Sequence, residues 1–203
     1  MIECWCAPTP NSRRVTMTLE ECGLPYVRHE IDLTRRAQRD PDFMATVNPA
    51  GAVPVIRESE GPDGRPFTLT QSAAICLYLS EKTGLLLPAS GTKRAEALQW
   101  FAFGTTDLGP VGSSLYRLSL TEQEGSKAVA MIHERLFFYC ERLDARLRAR
   151  AYLADDFSLA DIATYPILIS HFVDTILAPV PGFEAMRRWM AEMAARPAIQ
   201  RGL

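Results

Sequence analysis

The strongest constraint on this chain is a change of period. Up to about residue 83, short apolar alternations of period two are interleaved with stretches of helical spacing, and from about Thr92 only helical spacing remains. The sequence therefore divides into a mixed α/β part and an all-α part. In "MIECWC" Ile2, Cys4 and Cys6 share one face of a strand, and Val15, Leu19 and Cys22 then recur at helical spacing until Gly23 ends the helix. "YVRHEIDL" sets Val27, Ile31 and Leu33 against Arg28, Glu30 and Asp32, which returns the chain to a strand and completes a parallel β–α–β crossover. A short, poorly defined helix follows. "AVPVIRE" and "PFTLT" flank the turn-rich "SEGPDGR" and read as an antiparallel hairpin. "SAAICLYLSEKTG" then predicts a helix from Ser72 to about Lys82, closed by Gly84.

The order βαβ followed by ββα is the layout of a thioredoxin-like domain, assigned to residues 1–83. In "KRAEALQWFAFG", "SKAVAMIHERLFFYCERLDARLRAR" and "EAMRRWMAEMAAR" apolar residues are spaced by three and four with charges between them, which assigns a helical bundle to 92–203. "TGLLLPASGT", with Gly84, Pro88 and Gly91, is the linker. Within the bundle, "DFSLADIATYP" carries a capping box. Ser158 accepts from the amide of Asp161, Asp161 reaches back to Ser158, and Phe157 staples onto Ile162.

Composition removes several function classes. A chain of 203 residues with 47% hydrophobic residues and a net charge of -2 has a core but no basic field for nucleic acid. The first residues carry no positive leader, and "YPILISHFVDTILAPV" is interrupted by His171 and Asp174 well short of a membrane-spanning length. The expectation is a cytoplasmic protein with no membrane association. Five cysteines, Cys4, Cys6, Cys22, Cys76 and Cys140, show neither paired nor metal-ligand spacing, so neither a disulfide framework nor a metal site is expected.

The elbow "APTPNS" raises a separate question, because a helix start needs one capping side chain and this one offers three. Asn11 or Ser12 suffices as the cap, which leaves Thr9 free to hold something other than its own backbone. Cys6 and Cys4, on the strand face with Ile2, read as small core residues. Cys6 is nevertheless close enough in sequence to Thr9 to be weighed as a redox thiol. His29 has no partner in the sequence pattern and is assigned no chemistry.

"TPNSRRVTMTLEE", "NPAGAVPVI", "TQSAAICLYLSEKTG" and "FSLADIA", in this order and at these separations, resemble the cytosolic glutathione transferase family over essentially the whole chain. "APTPN" together with Gln38 is most similar to its bacterial Nu class and the disulfide-reducing relatives of that class. The resemblance implies a co-substrate, glutathione, and a set of residues to hold it. Pro54 is implied to follow a cis peptide that presents the Val53 backbone to the cysteinyl unit, like an added strand. Ser72, at a helix start, is implied to bind a carboxylate, and it also reads as an ordinary N-cap. Gln71 stands where the family usually has an acid and offers the glutathione ammonium an uncharged acceptor. Thr9 and Asn11 are implied to donate to the thiol and lower its pKa, with Ser12 a competing hydroxyl. Arg135 matches a helical arginine that approaches glutathione, but it also reads as an exposed charge. Asp107 is a further carboxylate that a two-fold dimer would bring across its interface, against a plain surface reading.

The resemblance thus implies a homodimeric enzyme that needs no metal and activates the thiol of glutathione for attack on a small disulfide. Attack on an electrophilic carbon is the alternative, as is a binding module without turnover. The pocket for the second substrate would draw on residues such as Trp100, Phe103 and Tyr116, which read equally well as core.

Overall fold

Strand β1 (Ile2–Cys6) is the centre of the sheet, and the chain builds outward from it. It pairs in parallel with β2 (Tyr26–Glu30) and antiparallel with β3 (Val55–Glu58), which pairs antiparallel with β4 (Phe67–Thr70). The order is β2-β1-β3-β4, which is the βαβ–ββα arrangement read from the sequence. The computed structural model describes residues 1–121 and 125–203. They form two units, Met1–Leu85 with Pro197–Leu203, and Leu86–Arg196.

In the first unit α1 (Pro10–Glu21) and α3 (Ser72–Thr83) pack on each other and on the sheet. Both contribute buried apolar side chains, among them Val15, Leu19, Ile75 and Leu79, and Cys4, Cys6 and Ile56 of the strands are buried as well. On the opposite face Trp5 and Val55 form a small core with Phe43 of α2 (Pro41–Thr46), flanked by Ile31, Val47 and Val53. β2 lies at the sheet edge, so the apolar row predicted for it is covered only in part and Val27 is 43% exposed. His29 is accounted for there, stacked on Trp5 at 4.8 Å between ring centroids and 3.1 Å from Glu3 Oε1.

The chain end returns to this unit. α10 (Pro197–Arg201) and Gly202 lie along α1, where Arg201 Nε is 2.7 Å from Glu20 Oε2 and the Thr16 hydroxyl donates to the Gly202 carbonyl. Gly202 presses so closely on the helix that a Cβ there would sit 2.7 Å from Met17 Cα, so no larger residue fits without displacing the segment. The sequence pattern, which carried the helical part through to residue 203, holds no sign of this return. A five-residue helix shows its partner only through packing.

The second unit contains α4 (Gly91–Ala102), a π-helical stretch (Phe103–Leu108), α5 (Gly109–Ser119), α6 (Lys127–Leu147), α7 (Leu159–Leu168), α8 (His171–Leu177) and α9 (Glu184–Ala194). Every residue of α7 is buried, as its almost unbroken apolar sequence requires. Its capping box is present: the Ser158 amide donates to Asp161 Oδ2 at 3.0 Å, and the Ser158 hydroxyl accepts from the helix start. Asp161 does more than the box requires. Its Oδ1 also accepts from the Leu153 amide at 3.1 Å and from the Trp189 indole at 2.9 Å. Burial pushes its carboxyl up to about 6 against the pull of these hydrogen bonds. The Phe157 ring is flanked by Tyr152 at 5.5 Å and by the Arg196 guanidinium at 3.6 Å. Among the described residues no helix is long and apolar enough to cross a membrane.

Candidate active site

The strand register gathers three segments at one end of the sheet. Trp5, next to the last residue of β1, pairs with Val55, and Val55 pairs with Thr70 at the end of β4. The chain therefore leaves β1 towards Thr9, enters β3 from Val53–Pro54, and leaves β4 into Gln71–Ser72, all at the same edge. A fourth segment joins them, because Gly51 lies close under Gln38. A Cβ at Gly51, whose φ is +58°, would be 3.2 Å from the Gln38 carbonyl oxygen. Gln38 Oε1 is buried with no hydrogen-bond partner among the described residues. A buried acceptor in that state marks a place where a donor is wanted.

The loop before β3 is held from within. Asn48, which sequence reasoning passed over, accepts from the Ala50 amide at 3.0 Å and donates to the Ala52 carbonyl at 2.7 Å. Its position just ahead of "PAG" is the Asx-turn signal that could have singled it out. The Val53–Pro54 peptide is cis.

At the start of α1 the side chains are distributed differently from the sequence expectation. Thr9, not Asn11 or Ser12, is the N-cap. Its Oγ1 accepts from the Ser12 amide at 3.3 Å, and Pro10 occupies the first helical position. Ser12 is buried, and its hydroxyl accepts from the Ala7 amide at 3.2 Å, so it ties the end of β1 to the helix. Asn11 is exposed, and its Oδ1 accepts from Arg14 NH1 at 2.6 Å. No acidic residue lies in the first turn, so the positive end of the helix dipole is left without a side-chain counter-charge of its own.

The start of α3 has no side-chain cap at all. Gln71 occupies the N-cap position with φ 72° and ψ 110°, and Ser72 is the first helical residue, 8% exposed. A non-glycine residue at that φ is strained by roughly 1–3 kcal/mol, and such strain gathers where a side chain or backbone must be aimed.

The protein's own thiols are enclosed. All five cysteines are free and buried, and burial raises the thiols of Cys22, Cys76 and Cys140, the last two to about 11 and about 12. Cys6 is drawn down to about 7 by the hydrogen bond from Cys4, with Arg28 assisting against burial, while Cys4 is driven up. With Cys6 only 1% exposed, a disulfide substrate has no approach to it. Among the described residues no group of three or more His, Cys, Asp or Glu is placed to hold a metal ion.

In the second unit, Tyr139 connects two residues singled out in the sequence. Its hydroxyl donates to Asp107 Oδ1 at 3.3 Å, and the Arg135 guanidinium lies 5.8 Å from its ring centroid. Trp100 and Phe103 continue this cluster, with Phe103 edge-on to Tyr139 at 5.2 Å. Tyr116 packs apart from it, against Phe172.

These features define a thioredoxin-like protein with an appended all-α unit. Residues 9–82 match the glutathione S-transferase N-terminal domain and residues 108–197 the glutathione S-transferase C-terminal domain, and the chain belongs to the glutathione S-transferase family. It is 32% identical over 210 residues to the disulfide-bond oxidoreductase YfcG of Escherichia coli (strain K12), covering 100% of this chain and 94% of that protein. A glutathione transferase from Burkholderia graminis, solved with two glutathione molecules bound per subunit, superposes with a TM-score of 0.90 at 35% identity, covering 99% of this chain and 86% of that one. A glutathione transferase from Pseudomonas putida, solved with one glutathione disulfide bound per subunit, gives a TM-score of 0.91 at 30% identity, covering 99% and 90% of the two chains.

Proposed function

We propose that this protein binds glutathione at the shared sheet edge and uses its thiolate to reduce small disulfides. The observation that carries the reading is the convergence of Thr9–Asn11, Val53–Pro54 and Gln71–Ser72 through the register Trp5, Val55, Thr70. Glutathione brings two carboxylates, an ammonium and a thiol. The uncapped start of α3 at Ser72 suits a carboxylate, and Gln71 and Gln38 supply acceptors for the ammonium and backbone N–H groups. The Val53 backbone offers strand-like pairing. Thr9 and Asn11 stand beside a helix start that has no acid of its own, where a thiolate is stabilised by donors and dipole together.

The thiolate attacks one sulfur of the disulfide, the S–S bond breaks, and the other sulfur leaves as a thiolate that takes a proton. A second glutathione attacks the mixed disulfide, releases the reduced product and leaves glutathione disulfide. No protein cysteine takes part. The likeness to YfcG and the glutathione disulfide bound by the Pseudomonas putida protein favour this chemistry over conjugation to a carbon electrophile. The working form is a cytoplasmic homodimer in which Asp107 or Arg135 of one copy completes the site of the other.

Calorimetry of glutathione binding tests the site. Ser72→Ala should weaken affinity by about 1–2 kcal/mol, roughly 5- to 30-fold, with the fold intact. Equal affinity in the two proteins would remove Ser72 from the site.

A further inference from the structure

Arg14 is out of place by the ordinary rules of helix design. It follows the first turn of α1, near the positive end of the dipole, and its side chain is 2% exposed. A cation is disfavoured at that end of a helix. Burial pulls its pKa down to about 10, so it still carries its charge at neutral pH. Cys76 of α3 is close to it, and burial keeps that thiol neutral, raised to about 11. A charge kept there, against the preference of the helix end, is available to the polar side chain beside it.

Its contact with Asn11 indicates how. Arg14 NH1 lies 2.6 Å from Asn11 Oδ1, three residues apart on one helix face. A guanidinium has only donors, so the amide atom turned to it must be the oxygen. The two amide N–H bonds of the exposed Asn11 then point away from Arg14, and the neighbouring charge polarises them into stronger donors. An unclamped asparagine at the same place could turn by half a rotation and present its oxygen, which repels a thiolate.

We propose that Arg14 is a positioning residue that holds the Asn11 amide with its N–H group directed at the sulfur of bound glutathione. The inference rests on the glutathione reading above and adds to it a residue that does not itself touch the thiol. Arg14 thus keeps Asn11 open as a donor beside Thr9.

The test follows the ultraviolet absorbance of the bound thiolate as pH is raised, in the parent, Arg14→Met, Arg14→Lys and Asn11→Ala, with glutathione affinity measured beside it. In Arg14→Met affinity measured at a pH below the bound thiol's titration should stay within about twofold, while that titration moves up by roughly one pH unit, a tenfold change in the ionisation constant. Arg14→Lys, which keeps a cationic donor, should restore most of the shift. Adding Arg14→Met to Asn11→Ala should produce no further movement. Arg14→Leu, which likewise offers no donor, replaces Arg14→Met if the latter does not fold, with the same expectations. An unchanged titration with glutathione bound overturns the inference alone, as does an equal shift in the Asn11→Ala background. A parent that does not bind glutathione overturns the reading beneath it as well.

Discussion

The starts of α1 and α7 solve the same local problem in opposite ways. At α7 the orphan amides, a neighbouring backbone N–H and an indole all converge on one carboxylate, Asp161, which is fully enclosed. At α1 one hydroxyl, that of Thr9, caps the helix, no acid lies in the first turn, and the polar residue beside the cap, Asn11, faces outward with a buried cation behind it. The first start supplies its own anion and needs nothing more. The second has a buried cation and no acid in its first turn, which suits it to receive an anion.

Removing the enclosed anion should have the largest effect on the fold. Asp161→Ala leaves the Leu153 and Ser158 amides and the Trp189 indole buried without an acceptor. The expected loss is about 3–5 kcal/mol in denaturant unfolding. A loss below about 1 kcal/mol would mean that the two helix starts do not differ as described.

The pH dependence of stability sharpens the contrast. The folded pKa of Asp161, about 6, lies above its ordinary 3.8, so the folded state holds the proton more tightly than the unfolded chain does. This contribution is fully present below pH 3.8 and is lost as pH rises through about 6. Relative to the non-titrating Asp161→Asn variant, the parent should lose up to ~3 kcal/mol between these limits. A stability difference that stays flat across this window, or rises through it, contradicts the assignment of burial as the dominant influence.

The smallest stability effects belong to α1. Thr9→Ala removes the cap and Asn11→Ala removes one partner of Arg14, so each should cost only about 1 kcal/mol. Thermal unfolding would measure both. A cost near that of Asp161→Ala would make the α1 start a structural element and leave little reason to see a site there.

Much of this architecture is legible in the sequence, because period two and helical spacing report directly on which faces are buried. The parallel crossover, the hairpin around "SEGPDGR" and the capping box of α7 are all of this kind. The α1 start is different. "TPNS" presents three capping-competent side chains in succession, and the choice among them is made by Ser12 turning inward to the Ala7 amide, a tertiary event that no local pattern encodes. Nothing in the local pattern marks Arg14 for burial, and only packing reveals it. The π-helical stretch at Phe103–Leu108 is similar. There Gly104 lies so near α7 that a Cβ would be 3.1 Å from the Ala163 backbone, a proximity invisible in a run of helical spacing.

The central claim is that the α1 start supplies the donors and bound glutathione the thiol. Steady-state turnover of a small disulfide with glutathione in the parent, Thr9→Ala, Asn11→Ala and Cys6→Ala tests it most directly. The first two variants should each lose about 1–3 kcal/mol of transition-state stabilisation, roughly 5- to 150-fold in kcat/KM, and Cys6→Ala should retain most of the activity. Activity lost in Cys6→Ala alone, with Thr9→Ala and Asn11→Ala unaffected, would place the reacting thiol on the protein and contradict the account.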